Sequence, residues 1–118
     1  MDILVISRQT PTAFEVHKTL IETLKEFLKN DENKVVAVFF TEKAVSIASR
    51  DVKQIEALKE VQDEYRKFSQ DYKVDLLVCG RAYMEAGLNK ECVQDDFTLS
   101  GNMELSLFIN AADKVLEI

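Results

Sequence analysis

Cysteine, proline, glycine and histidine are all scarce in this chain of 118 residues, which has two Cys, one Pro, three Gly and one His. Two thiols are too few for a disulfide scaffold. A single histidine, beside cysteines that are not at metal-ligand spacing, is too few for a usual zinc site. So little Pro and Gly leaves no interdomain linker, and no repeat or low-complexity tract interrupts the chain. One domain over residues 1–118 is expected, long enough to bury a core without staples. No apolar run is long enough to span a bilayer. MDILVISRQTP has no positive n-region before its short apolar run, so no signal peptide is expected and the compartment is expected to be cytoplasmic. Cations are outnumbered, 15 Lys and Arg against 21 Asp and Glu, for a formal net charge of -6. An acidic surface repels nucleic acid and anionic membrane, so neither is expected as a partner. Several catalytic templates are missing too. ISRQTPT stands where GxGxxG would follow a first strand, and no GxxxxGK[ST], GxSxG or CxxC occurs.

What is present alternates between strand-like and helix-like segments. Apolar residues make up 47 % of the chain and charged ones 31 %, the balance of an ordinary globular domain. ILVIS (3–7) is a short branched run, expected as a buried strand. RQTPT breaks it, with Thr10 expected to cap a helix and Pro11 to sit in its first turn. Phe14, Leu20, Ile21, Leu24, Phe27 and Leu28 then form a helical stripe. After the polar turn NDEN, KVVAVFF (34–40) is apolar nearly throughout, as in a strand covered on both faces of a parallel sheet. Thr41 is expected to cap a short helix. Leu58, Val61, Tyr65, Phe68 and Tyr72 mark a long helix over 51–72. A third strand follows at 74–80, then a short helix, RAYMEAG, stopped at Gly87. LNKECVQDDFTLSG reads as irregular, with a brief strand around Cys92. A helix over 102–112 and a last strand, DKVLEI, close the chain. This alternation implies an α/β fold, a mostly parallel central sheet with helices on both faces in a flavodoxin-like three-layer arrangement.

Functional groups gather at the carboxyl ends of strands in such sheets, and Cys79 stands at one. Gly80 permits a sharp turn there. The backbone N–H groups of Gly80 and Arg81, opening the next helix, would stabilise an anion on the sulfur, and the Arg81 side chain would add charge if it turned inward. That is an environment for a nucleophile; the alternative is a small core residue. Cys92 fits a surface thiol, a core residue or a resolving partner for Cys79. Tyr83, Met84 and Phe97 are candidates for lining the approach to the sulfur, by nearness in sequence. His17, on the first helix beside its stripe, is expected to be solvated or edge-packed rather than a base. Asp95 and Asp96 are expected to be solvated, or else to bound the mouth of a site.

Three segments carry a resemblance: VVAVFFTEKAVSIAS, YKVDLLVCGRAYMEAGL and LSGNMELSLFINAADKVLEI. In this order they resemble the DsrE/TusD sulfur-relay family, the DsrE/DsrF-like proteins. The first is similar to that family's second strand and turn. The second is similar to its signature strand, ending in the sulfur-handling cysteine before a small-residue helix. The third is similar to its C-terminal helix and final strand. The resemblance implies a sulfurtransferase or sulfur-carrier subunit that holds sulfane sulfur as a persulfide on Cys79 and relays it between donor and acceptor proteins. It also implies a homo-oligomer, trimer or hexamer, or a hetero-oligomer with sister subunits, and neither a metal nor an organic cofactor. Some members lack the cysteine and serve as structural partners; this chain keeps it. Two other readings stand beside this one. One is a non-enzymatic assembly or regulatory module with a structural Cys79. The other is a thiol redox switch between Cys79 and Cys92.

Overall fold

Five strands form one sheet in the order β4-β3-β2-β1-β5, and all four pairings are parallel. The structure, a computed structural model, describes residues 1–51 and 56–118. The elements run β1 (Asp2–Ser7), α1 (Phe14–Phe27), β2 (Lys34–Phe40), a 3₁₀ segment (Glu42–Ala48), α2 (Glu56–Tyr72), β3 (Asp75–Cys79) and α3 (Gly80–Glu85). A 3₁₀ turn (Lys90–Cys92), β4 (Phe97–Ser100), α4 (Asn102–Ala111) and β5 (Lys114–Glu117) complete the chain. The layering is that expected for flavodoxin-like folds, whereas the strand order differs from the 2-1-3-4-5 of flavodoxin itself.

The direction of travel across the sheet explains the layers. From β1 through β4 each strand lies beside its predecessor, so right-handed crossovers put α1, α2 and α3 on one face. The step from β4 back to β5 reverses that direction and carries α4 over the other face. The two cores follow. Leu20, Ile21 and Leu24 of α1, Val61, Tyr65 and Phe68 of α2 and Tyr83 of α3 pack on Val5, Val38, Phe40, Leu76 and Val78. On the opposite face Leu105 and Phe108 of α4 lean on Leu4, Ile6, Ala37, Phe39 and Leu77. The central strands are therefore apolar on both sides, which is why β2 shows no alternation. A register shift between Ile3 and Leu4 leaves Val36 as an extra residue in β2.

Several expectations are corrected here. Thr10 and Pro11 do not open α1; they form a turn closed by Ala13 N–H on the Thr10 carbonyl, and Ala13 is the N-cap. Thr41 stands at the N-cap of the 3₁₀ segment but makes no side-chain cap bond. The segment around Cys92 is a 3₁₀ turn, and the strand lies later, at Phe97–Ser100. Positions 52–55, inside the long helix expected from Asp51, lie outside the described residues.

His17 is neither solvated nor at an edge. It is fully buried, accepting from the Tyr65 hydroxyl at Nδ1 (2.6 Å) and donating from Nε2 to the Thr10 carbonyl (3.0 Å). A carbonyl only accepts, so the neutral ring must carry its proton on Nε2. Burial pushes the imidazole below its ordinary value, and backbone hydrogen bonds at Thr10 and Gln9 oppose that shift. The unfolded chain therefore takes up the proton first. The stability this residue contributes is complete above about pH 6.5 and falls as pH drops toward the lowered folded value. His17 is the one histidine of the chain. The unfolding free energy from urea titrations is thus expected to drop between pH 7.5 and 5.5, by up to about 1.4 kcal/mol per pH unit, and His17→Gln is expected to flatten that slope. A wild-type midpoint independent of pH in this window would contradict the neutral buried ring.

Candidate functional site

Neighbouring strands β3 and β4 send their connections to opposite faces, α3 to one and α4 to the other. Their carboxyl ends therefore border the crevice in which open α/β sheets bind ligands. The residues at those ends are Cys79 and Ser100, which pair in the parallel ladder. Paired residues of a parallel ladder share a face. The face here is that of α4, because the Ser100 hydroxyl donates to Glu104 Oε2 at 3.0 Å.

Cys79 is half-buried and packs against both cores, as fits a residue at the end of a sheet. It is the N-cap of α3, with φ -59° and ψ 109°. A side chain turned into the N-cap position would reach the N–H groups of the second and third helical residues, here Arg81 and Ala82. No side-chain cap bond is formed. Gly80 is the first helical residue, and a Cβ there would lie 3.5 Å from the Ser100 carbonyl oxygen, an ordinary contact. The Arg81 side chain does not turn inward. Its Nε pairs with Glu85 at 2.9 Å across one turn of exposed helix, a bond of little energetic weight.

The far end of α3 is held by a Schellman arrangement. Gly87 N–H bonds the Met84 carbonyl and Leu88 N–H the Tyr83 carbonyl, with Gly87 at φ +79°. An added Cβ at Gly87 meets nothing within 4 Å, so Gly87→Ala tests the backbone conformation alone. It is expected to lower stability by about 1–2 kcal/mol, read from chemical denaturation.

Tyr83 and Phe97 do not line an approach. Tyr83 is buried and donates to the Asn89 carbonyl at 2.9 Å. Burial holds its phenol above the ordinary value, with Cys92 and Asp51 nearby adding to the shift and Ser49 and Arg50 opposing it. Phe97 is buried against Phe40 at a centroid distance of 5.9 Å. Both are apolar and bulky, and the core takes them. Met84 is 52 % exposed, the one of the three that solvent reaches. Cys92 is a half-buried free thiol, and Cys79 is likewise free. Asp95 is exposed. Asp96 does not bound a mouth; its Oδ2 accepts from Arg66 Nε (3.1 Å) and Gln70 Nε2 (2.9 Å), tying the loop before β4 to α2.

Further along the strand ends, Arg8 follows β1 and is paired with Glu42 (2.7 Å) and Glu117 (3.1 Å). It stands about two strand spacings, roughly 10 Å, from β3. Sequence reasoning missed Ser100 and Glu104, since neither matters until β4 is placed beside β3. Among the described residues no three His, Cys, Asp or Glu side chains converge on a metal site, and no helix is long and apolar enough to cross a membrane.

The whole chain, residues 1–118, matches the sequence profile of the DsrE/DsrF-like family. Two solved structures share the fold. The ychN protein from E. coli superposes with a TM-score of 0.76 at 18 % identity, covering 100 % of this chain and 99 % of that one. MTH1491 from Methanobacterium thermoautotrophicum, described as a protein of unknown function, gives 0.71 at 11 % identity, covering 99 % and 97 %. No curated protein matches the chain. At these identities the structural likeness concerns the fold alone.

Proposed function

The chain belongs to the DsrE/DsrF-like family, and on that premise we propose that it is a sulfur-relay subunit, taking sulfane sulfur on Cys79 as a persulfide and passing it to another protein. The observation that supports this most is the position of Cys79. It is a half-buried free thiol at the N-cap of α3, at the carboxyl end of β3 beside a strand whose connection leaves over the other face.

The chemistry balances without an outside oxidant. The Cys79 thiolate attacks the outer sulfur of a donor persulfide; the donor S–S bond breaks, a new one forms on Cys79, and the donor leaves as a thiolate. In the second half the acceptor's thiolate attacks the outer sulfur and Cys79 leaves as thiolate. Both forms of the site are anionic. A sulfur rotated into the cap position would meet the N–H groups of Arg81 and Ala82, with Gly80 letting the chain turn. Cys92 has no part in either half. Donor and acceptor are proteins, and the subunit works as a homo-oligomer (trimer or hexamer) or with sister subunits.

The test is intact mass before and after exposure of the reduced chain to inorganic polysulfide. One added sulfur atom, mapped to the Cys79 peptide, is the expected result. A folded chain that gains nothing would leave Cys79 as a core residue of an assembly module.

A further inference from the structure

Ser100 closes β4 beside Cys79, and the two are partners in the parallel ladder, on the face that α4 covers. Neighbouring strands lie about 4.8 Å apart, so the Ser100 hydroxyl stands within a side chain's reach of the Cys79 sulfur. Ser100 is only 6 % exposed, so protein groups rather than bulk water decide what its hydroxyl bonds. A hydroxyl has one proton to donate, and a carboxylate only accepts. The 3.0 Å bond to Glu104 Oε2 therefore commits that proton to Glu104. Glu104 is exposed, in the first turn of α4, and is the only charged residue of that helix. On the other flank of Cys79, Arg81 is turned away and paired with Glu85.

We propose that Ser100 and Glu104 form a latch on Cys79, released by a partner that brings a cation to Glu104. A thiolate or persulfide is an acceptor and gains from every hydrogen-bond donor turned toward it. Glu104 competes with it for the one O–H beside the sulfur, and sets a second negative charge nearby. Both effects oppose an anion on the sulfur. A lysine or arginine next to the partner's own cysteine pairs with the exposed carboxylate and draws it off. The Ser100 O–H is then free to turn to the sulfur, and the opposing charge is cancelled in the same step. Reactivity rises when a protein of the right charge is docked. That this partner is a sulfur donor or acceptor rests on the sulfur-relay reading; the latch itself is a property of the thiol.

Thiol chemistry tests it without any sulfur transfer. In a Cys92→Ser background near neutral pH, neutral iodoacetamide is expected to alkylate Cys79 about three- to tenfold faster once Glu104→Ala is introduced, the weight of one screened charge and one hydrogen bond. Ser100→Ala keeps the charge and is expected to change the rate little. Glu104→Ala is expected to gain less when Ser100 is also alanine, because no hydroxyl is left to release. Cystamine, a dication, is expected to exchange with Cys79 faster than the dianion dithiodipropionate, and Glu104→Ala to shrink that ratio by up to about fivefold. Circular dichroism is expected to be the same for all variants. Alkylation indifferent to Glu104→Ala overturns the latch. So do equal gains with and without the Ser100 hydroxyl, or a reagent preference that Glu104→Ala leaves intact. A wild type that takes no sulfur from polysulfide yet shows all three behaviours keeps the latch and removes the relay. One that loads sulfur while its thiol ignores Glu104 keeps the relay and removes the latch.

Discussion

Cys79→Ser is expected to abolish sulfur loading outright, while Cys92→Ser loads like the wild type. Serine keeps the shape of the N-cap, and its hydroxyl is a better cap acceptor than sulfur, so the variant is expected to fold at least as well. It has no thiolate, and an alcohol does not attack a sulfane sulfur near neutral pH. The loss is therefore complete rather than graded, and intact mass spectrometry reads it directly. The Cys92 control carries the second half of the argument. A redox switch needs both thiols and a disulfide between them, and it would lose its response in either variant. A relay needs one, because the sulfane sulfur keeps its oxidation level through both transfers. If Cys92→Ser also fails to load while folded, the switch becomes the better reading. If neither substitution changes the mass gain, the sulfur is being taken up elsewhere and the relay on Cys79 is wrong. A second readout separates carrying from mere trapping. The loaded wild type, freed of donor and given an acceptor thiol, is expected to lose the extra mass as the acceptor gains it.

The parts of this site that depend on one segment were legible in the sequence. DLLVC is an apolar run stopped by a glycine, so a strand ending at Cys79 could be read directly, as could the stop at Gly87. The parts that depend on strand order were not. Ser100, to which Glu104 is bonded, becomes a neighbour of Cys79 only because β4 adds beside β3, and that choice follows from the crossover sequence of the whole sheet. β4 itself was misplaced because four residues, two of them accessible, give too little periodicity to register. Nearness in sequence misled for Tyr83 and Phe97. Bulky apolar side chains beside a strand end are drawn inward by burial, and about 25 cal/mol per Å² outweighs any pull toward the rim. The pairing of His17 with Tyr65 spans 48 residues and joins two helices, so no local pattern announces it.

That pair sets the second large effect. Tyr65→Ala is expected to destabilise the fold by about 3–5 kcal/mol, a large share of what a domain of this size possesses. Tyr65 is wholly buried, edge-on to Phe40 at 5.0 Å and to His17 at 5.5 Å. Its removal opens a cavity between α2 and the sheet and leaves His17 Nδ1 without a donor. Tyr65→Phe separates the two contributions. The ring stays and the hydroxyl goes, so the cost is that of one buried acceptor left unsatisfied, about 1–3 kcal/mol. The buried phenol is held well above its ordinary value by its surroundings, so it stays protonated and donating across the working pH range. In Tyr65→Phe the unsatisfied Nδ1 is also easier to protonate relative to the intact pair, and the fall in stability below pH 6.5 should become shallower. Denaturant titrations of both variants at pH 7.5 and 5.5 read all of this. Should Tyr65→Phe cost as much as Tyr65→Ala, the hydrogen bond rather than the packed ring holds α1 to α2. Should it cost nothing, the buried pair contributes no net stability, and the dependence on pH at His17 must arise from burial alone.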